Sequence, residues 1–333
     1  MAREDMKYIV SFTNATPNPA LFGGKGSNII NLVEIGANVP LGFIITTDSY
    51  VRFLEESKYR NQLKELLSKN PHSKNVLNFS RTMRKLILES EFPKDVKREI
   101  GTGFDRIREE FGSETLVAVR SSATIEDADT FSFAGQGNTY LYNNSLDEIL
   151  FSVKNCWASL FSPHALVYFL QMRKMGTKDS LRNVHMAVVV QKMVDSQISG
   201  VLFTANVVNN NRNQMMINSA WGLGETIANN SVIPDMIILE KDKFKVLRIV
   251  VGEKEKMSIR SPIGSFTAMI DTDPKLREKC SLNESQLRRL HQLGLKLENA
   301  LHSPQDVEWA IEDNKIYVLQ SRPITTLKSE KTS

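Results

Sequence analysis

Gln305-Asp306-Val307-Glu308-Trp309-Ala310-Ile311-Glu312-Asp313-Asn314-Lys315-Ile316-Tyr317-Val318-Leu319-Gln320-Ser321-Arg322-Pro323 reads as two strands folded back on each other. The apolar runs Val307–Ile311 and Ile316–Leu319 supply the strands. Strand alternation puts Asp306 and Glu308 on one side of the first strand, and Gln320 and Arg322 on one side of the second. A three-residue loop, Glu312-Asp313-Asn314 with Asn314 left-handed, is expected to bring all four to one face. Two carboxylates, an amide oxygen and a guanidinium suit a magnesium–phosphate site, because oxygen ligands hold a hard cation and the arginine neutralises phosphoryl charge. The competing reading is a solvent-facing hairpin with an Asp306–Arg322 ion pair.

Upstream of the hairpin, Leu287, Leu290, Leu293, Leu297 and Leu301 recur at helical spacing. Before them come short apolar runs, Met186–Val190, Val201–Phe203, Met215–Ile217, Met236–Leu239 and Val246–Val251, which predict a sheet-rich lobe from about residue 185. The earlier part alternates differently. A loop leads to Gly23-Gly24-Lys25-Gly26, a helix carrying Ile29, Ile30, Leu32 and Val33 that stops near Gly36, and a strand Phe43-Ile44-Ile45-Thr46. Helices are expected over about 48–68, 76–90 and 94–111, the last opened by Pro93. A strand Leu116–Val119 then delivers Arg120-Ser121-Ser122-Ala123 at its end. Two more helices follow, one with a capping box of Ser145 and Glu148, the next starting at Pro163. The expected organisation is α+β, with a first lobe over 1–187, a second over 188–327 and a frayed tail over 328–333.

A chain of 333 residues, 41% hydrophobic and 24% charged, affords a sizeable core in two domains at roughly 100–200 residues each. Its formal charge of +4 is spread among both signs, which argues against a nucleic-acid partner. Local charge in a cleft would still serve a polyanionic nucleotide. Cys156 and Cys280 have neither disulfide-framework nor zinc-ligand spacing. No run approaches the roughly 18 apolar residues that span a bilayer, so no membrane role is expected and the cytoplasm is the default location.

Five further stretches hold groups suited to chemistry. Lys25 between glycines before a helix suits a phosphate, although a glycine turn with a solvated lysine has the same sequence. Arg120 at a strand end offers a rigid fork to phosphate oxygens, with Ser121 and Ser122 as donors beside it; an ion pair with Glu126 or Asp127 is the alternative. Phe133 to Thr139 has the glycines and hydroxyl of a lid over a triphosphate, or of a plain loop. Gln191-Lys192-Met193-Val194 ends a buried strand near the expected lobe junction, where clefts favour an adenine, or is a strand end with Met193 and Val194 in the core. Trp221-Gly222-Leu223-Gly224-Glu225 reads as a strand-to-helix turn with a carboxylate at the helix start.

The order of these segments resembles the ATP-binding region of the phosphoenolpyruvate synthase family, which includes pyruvate phosphate dikinase and rifamycin phosphotransferase. The matching stretches run from Gly23-Gly24-Lys25-Gly26 and Val39-Pro40-Leu41-Gly42-Phe43 through Val117–Ala123, Phe133-Ala134-Gly135-Gln136, Ser199–Thr204 and Trp221–Glu225 to Gln305–Trp309 and Leu319–Pro323. The resemblance implies an ATP-grasp fold, two α+β lobes with nucleotide in the cleft between them. It implies phosphate contacts from Lys25 and Arg120, lid contacts from Gly135 and Thr139, and an adenine-side contact from Gln191. It implies magnesium and phosphate contacts from Glu308, Gln320 and Arg322, with Glu308 and Gln320 on the metal and Arg120 and Arg322 catalytic. Asp306 and Glu225 are left as supports or outer groups.

In that family a histidine on a separate swivelling domain attacks the β-phosphate of ATP, AMP leaves, and the phosphate goes on to pyruvate or another acceptor. His72, His164, His185, His291 and His302 all fall within the ATP-binding region, and none has the family histidine's sequence context. The expected partner is therefore a histidine-bearing domain, in trans or in a missing C-terminal part, with ATP and Mg2+ as cofactors. A rifamycin-type phosphotransferase module and a non-catalytic nucleotide-binding regulator are the alternatives.

Overall fold

The computed structural model describes residues 7–69, 75–124, 138–174, 181–261 and 267–327. The chain divides into two compact units, one of residues 1–30 and 41–193, the other of residues 31–40 and 194–333. In chain order the first holds β1 (Ile9–Ser11), most of α1 (Pro19–Glu34), β2 (Gly42–Ile45), α2 (Thr47–Glu56), α3 (Arg60–Ser68), α4 (Val76–Leu88), α5 (Lys94–Phe111), β3 (Val117–Ala123), β4 (Thr139–Asn143), α6 (Leu146–Ser159), α7 (Pro163–Lys174) and β5 (Met186–Lys192).

The five strands form an antiparallel sheet in the order β1-β2-β5-β3-β4. β5 is its middle strand, with Val188 and Val190 buried between β2 and β3. The strand expected to open the second lobe thus belongs to the first unit, and the chain divides after Met193 rather than between 187 and 188. Alternation turns Ile45, Val117, Val119, Val188 and Val190 to one face, where they meet Phe53, Met83, Ile100, Phe104 and Trp157, each at most 2% exposed. Trp157 also donates its indole N–H to the Met186 carbonyl at 3.1 Å. Truncating a buried indole of this kind costs about 3–5 kcal/mol.

The helix expected over 48–68 is interrupted. Ser57 leaves the helical region at φ −61°, ψ 137°, and its hydroxyl meets the Ser90 hydroxyl at 2.6 Å while accepting the Tyr59 N–H at 3.0 Å. A side chain that competes for backbone groups in this way ends a helix. Ser145 caps α6 through the Glu148 N–H at 3.3 Å, whereas the Glu148 carboxylate reaches back to the Asn144 N–H at 2.8 Å.

The second unit contains β6 (Ile198–Phe203), β7 (Gln214–Trp221), α8 (Glu225–Ala228), β8 (Asp235–Glu240), β9 (Lys245–Val250), β10 (Lys256–Arg260), β11 (Thr267–Asp271), α9 (Pro274–Arg277), α10 (Glu284–Leu301), β12 (Gln305–Glu312) and β13 (Lys315–Pro323). Six strands pair antiparallel in the order β13-β12-β6-β7-β8-β9, and β10 and β11 make a separate two-stranded sheet. α10 opens with a capping box of Asn283 and Gln286. Its Leu287, Leu290 and Leu297 pack with Leu202, Met215, Ile217, Val307 and Trp309 in this unit's core.

α1 ends as the glycine at position 36 predicts. Gly36 (φ 74°) donates to the Val33 carbonyl at 2.9 Å and Ala37 to the Leu32 carbonyl at 2.9 Å, a Schellman arrangement. The next residue, Asn38, covers the outer edge of β13: its carbonyl accepts the Val318 N–H and its amide donates to the Ile316 carbonyl, both at 2.9 Å. Sheet edges left bare invite pairing with other chains, and this contact closes part of one. No helix among the described residues is long and apolar enough to cross a membrane.

Candidate functional site

In the first unit the face of the sheet opposite the core holds Arg120, Thr139 and Gln191. Arg120 pairs with Thr139 on one side and Val189 on the other, while Gln191 pairs with Ala118 and Gly42. Period-two alternation therefore puts Arg120, Thr139 and Gln191 on one face, with Ser122 two residues along β3. Arg120 does not end its strand as expected but sits in the middle of β3, half-exposed, with Gln191 at 3% exposure. A mid-strand position fixes the guanidinium more tightly than a strand end, since both neighbouring strands hold its backbone.

α1 reaches the same face through a break. Gly23 takes φ 66°, ψ 179° inside α1, and a Cβ there would overlap the Ser122 carbonyl and hydroxyl. The Ser122 hydroxyl spans the break: it donates to the Phe22 carbonyl at 2.8 Å and accepts the Gly26 N–H at 3.0 Å. Lys25 lies between the two bonded positions, in the first turn after the break. The sequence predicts a loop preceding a helix at the glycine stretch; the structure has a kink within one, pinned to β3. The sequence offers Ser122 as a donor beside Arg120, but at 0% exposure both hydrogen-bonding directions of its hydroxyl are committed to α1. Gly135, the remaining candidate of this group, lies outside the described residues, as do Glu126 and Asp127.

In the second unit Asp306, Glu308, Gln320 and Arg322 share the face opposite α10. Asp306 is the register partner of Arg322, and Glu308 of Gln320. The expected three-residue loop is absent. Glu312 pairs with Lys315, leaving a two-residue turn of Asp313 (φ 48°) and Asn314 (φ 60°), both left-handed as a tight hairpin of this twist requires. The register then shifts between Glu308 and Trp309, with Leu319 as the extra residue of β13, and this bulge restores the shared face.

The Arg322 Nε and terminal nitrogen both reach Asp306 Oδ2, at 2.8 and 2.7 Å, so the ion pair of the competing reading is present. Burial pushes the Asp306 carboxyl above the usual aspartate range; Arg322 opposes the shift and the Glu308 charge adds to it. Asp306 is thus occupied as a support for Arg322, and Glu308 and Gln320 are the oxygen donors beside it. Among the described residues no three His, Cys, Asp or Glu side chains form a metal cage. One or two carboxylates with an amide oxygen fit Mg2+, which takes few protein ligands and completes its octahedron with phosphate oxygens and water.

Glu225, at the start of α8, accepts the Ser258 hydroxyl at 2.6 Å and is tied to β10. At the turn after β6, the Asn206 side chain accepts the Val208 N–H at 3.1 Å. A cavity of about 430 Å³ lies at the far end of the hairpin, lined by Asp195, Trp221, Met257, Glu312 and Asp313 among others, and Lys25, Arg120, Thr139, Gln191, Glu308, Gln320 and Arg322 do not border it.

Antiparallel sheets with helices packed on them make this an α+β protein. The family described as the pyruvate phosphate dikinase AMP/ATP-binding domain matches residues 19–333, and the chain belongs to it. The chain is 37% identical to phosphoenolpyruvate synthase of Pyrococcus furiosus, over 98% of this chain and 45% of that one. It is 39% identical to a probable phosphoenolpyruvate synthase of Archaeoglobus fulgidus, over 93% and 40%. It is 36% identical to rifampicin phosphotransferase of Bacillus subtilis, over 92% and 34%. The chain spans less than half the length of these relatives.

Proposed function

We propose that this chain is the ATP- and magnesium-binding part of a phosphoenolpyruvate synthase-like phosphotransferase of the cytoplasm, with an ATP-grasp arrangement in which two lobes enclose the nucleotide. The observation that carries the reading is the grouping of Arg120, Thr139 and Gln191 on the face of the first unit's sheet opposite the core, with the Lys25 turn pinned alongside by Ser122. Lys25, Arg120 and Thr139 hold phosphate oxygens, together with Gly135, and Gln191 meets the adenine side. Glu308 and Gln320 would hold Mg2+, which would supply positive charge to offset that of the phosphates. Arg322, oriented by Asp306, and Arg120 stabilise the charge that develops on the transferring group.

The acceptor in this reading is a histidine of a swivelling domain outside this chain. Its ring nitrogen bonds to the β-phosphorus of ATP, the bond from that phosphorus to the α-phosphate oxygen breaks, and AMP leaves. The histidine then carries the β- and γ-phosphates; water takes the γ-phosphate off as inorganic phosphate, and the β-phosphate left on the histidine is passed toward pyruvate. The similarity to rifampicin phosphotransferase supports a second reading, in which the same module serves an antibiotic acceptor. Either way the nucleotide chemistry is the same.

The test is a calorimetric titration of Mg-ATP into this chain and into Arg322→Ala, followed by addition of the isolated histidine domain of a phosphoenolpyruvate synthase. The expected result is saturable binding that the variant weakens, with AMP and phosphohistidine formed only when the histidine domain is present. No binding by the unmodified chain overturns the nucleotide reading; binding without AMP in the mixture overturns the transfer reading.

A further inference from the structure

Asn218 stands in the middle of β7, a central strand, where asparagine is a poor fit. Its lateral neighbours on the same face are apolar: Val201 on β6 and Met236 on β8. Beyond Val201 the same row continues to Glu308 on β12 and then to Gln320 on β13. Five register partners thus run across the face opposite α10 in the order Gln320, Glu308, Val201, Asn218, Met236. Asn218 is half-buried, and among the described residues its side-chain amide has no hydrogen-bond partner.

Neither packing nor an internal hydrogen bond accounts for an amide there. A valine would suit both neighbours and the strand better. Adjacent strands lie about 4.8 Å apart, so Glu308 and Asn218, separated by one strand, stand about 10 Å apart at the backbone. Their side chains rise from the sheet with only the short Val201 between them. A group a few ångströms across, lying over Val201, contacts both.

We infer that Asn218 is a further nucleotide contact, its amide hydrogen-bonding an oxygen of the sugar–triphosphate chain of the ATP whose magnesium Glu308 and Gln320 hold. This rests on the proposed function and adds a residue that neither the motif order nor the hairpin pointed to. The neutral amide can donate to a phosphate oxygen or exchange a bond with a ribose hydroxyl. Both are oxygens of the same ligand, and deoxynucleotides tell them apart.

The experiment titrates Mg-ATP, 2′-deoxy-ATP and 3′-deoxy-ATP into the full chain, Asn218→Ala and Asn218→Val, with thermal unfolding measured on each. Both variants should bind ATP about ten-fold more weakly, the scale of one hydrogen bond lost to a charged or buried group. Asn218→Val should melt no lower than the unmodified chain, because a branched side chain suits a central strand between Val201 and Met236. If ribose is the partner, one deoxynucleotide binds the unmodified chain as weakly as ATP binds the variants; if phosphate is, both deoxynucleotides keep full affinity. ATP affinity within two-fold of the unmodified chain in both variants overturns the inference. So does a loss of binding that appears only together with a loss of stability, which would make Asn218 an ordinary strand residue. Failure of the unmodified chain to bind ATP sinks the proposed function itself, and Asn218's role with it.

Discussion

Glu308 and Gln320 stand directly opposite each other because Leu319 is an extra residue in β13. With a two-residue turn and no bulge, Leu319 would face Glu308, and Gln320 and Arg322 would point toward α10. Deleting Leu319 should therefore leave the polar face intact, since Gln320 then follows Val318 in regular alternation. Deleting Ser321 should instead turn Arg322 to the core face and bury a guanidinium there. The expected outcome is near-normal ATP binding and a cooperative melt for the first deletion, and loss of both for the second. Equal behaviour of the two deletions would sink the bulge argument.

Gly23 and Ser122 are matched in the same sense. A residue with a Cβ at position 23 meets a left-handed backbone angle and overlaps the Ser122 carbonyl and hydroxyl. Gly23→Ala should destabilise the chain by about 1–3 kcal/mol, the range for a strained backbone position. Ser122→Ala keeps the volume close but removes the hydroxyl that ties Phe22 to Gly26. It should weaken ATP binding, and the loss should not add to that of Lys25→Ala, because both act through the same turn. Fully additive losses would mean that Ser122 does not position Lys25.

How far these relationships were legible in the sequence depends on what fixes each. Apolar runs such as Val201–Phe203 and the leucines of α10 announce their elements because burial imposes a period. The run Met186–Val190 announces a strand equally well, yet nothing local says which sheet it joins, and its neighbours on β2 and β3 lie far away in sequence. β10 and β11 leave no clear pattern because their residues mix apolar and charged types and nearly all are exposed or half-exposed. The sequence predicts the hairpin's shared face through a longer loop, since a bulge at Leu319 leaves no mark in residue type. A serine beside an arginine looks like a ligand group in sequence; only the close passage of α1 shows Ser122 committed.

Buried charge gives a third test. Lys254 and Asp235 are both fully buried and paired. Asp235 also accepts the Gly252 N–H at 2.9 Å and the Ser281 N–H and hydroxyl at 2.7 Å, while Lys254 donates to the Gly252 carbonyl at 2.8 Å. The pair joins the start of β8 to the turn before β10 and the segment before α10. Lys254→Met strands a buried carboxylate and should cost about 3–5 kcal/mol. Adding Asp235→Asn to that variant should restore part of the loss in chemical denaturation, because no uncompensated charge then remains. A double variant no more stable than Lys254→Met would show that the bonds to Gly252 and Ser281, rather than the charge pairing, hold the hub.

The pH dependence of the hairpin follows from Asp306. Its carboxyl is raised above the ordinary aspartate range, first by burial and then by Glu308, against the pull of Arg322. Asp306 is 12% exposed at the side chain and Arg322 43%, so solvent screens the arginine more than it relieves the buried acid. A raised folded-state value means that the folded chain binds this proton more tightly than the unfolded chain. Between the ordinary value and the raised one, stability falls as pH rises, and above the raised value the full cost of the ionised group is present. Asp306→Asn keeps the shape and cannot ionise. Unfolding midpoints of the two chains should coincide at the acid end of that window and separate in the variant's favour as the pH rises toward neutrality. A constant difference would mean that the bonds to Arg322 cancel burial, and one that grows in favour of Asp306 that they outweigh it and the carboxylate is stabilised in place.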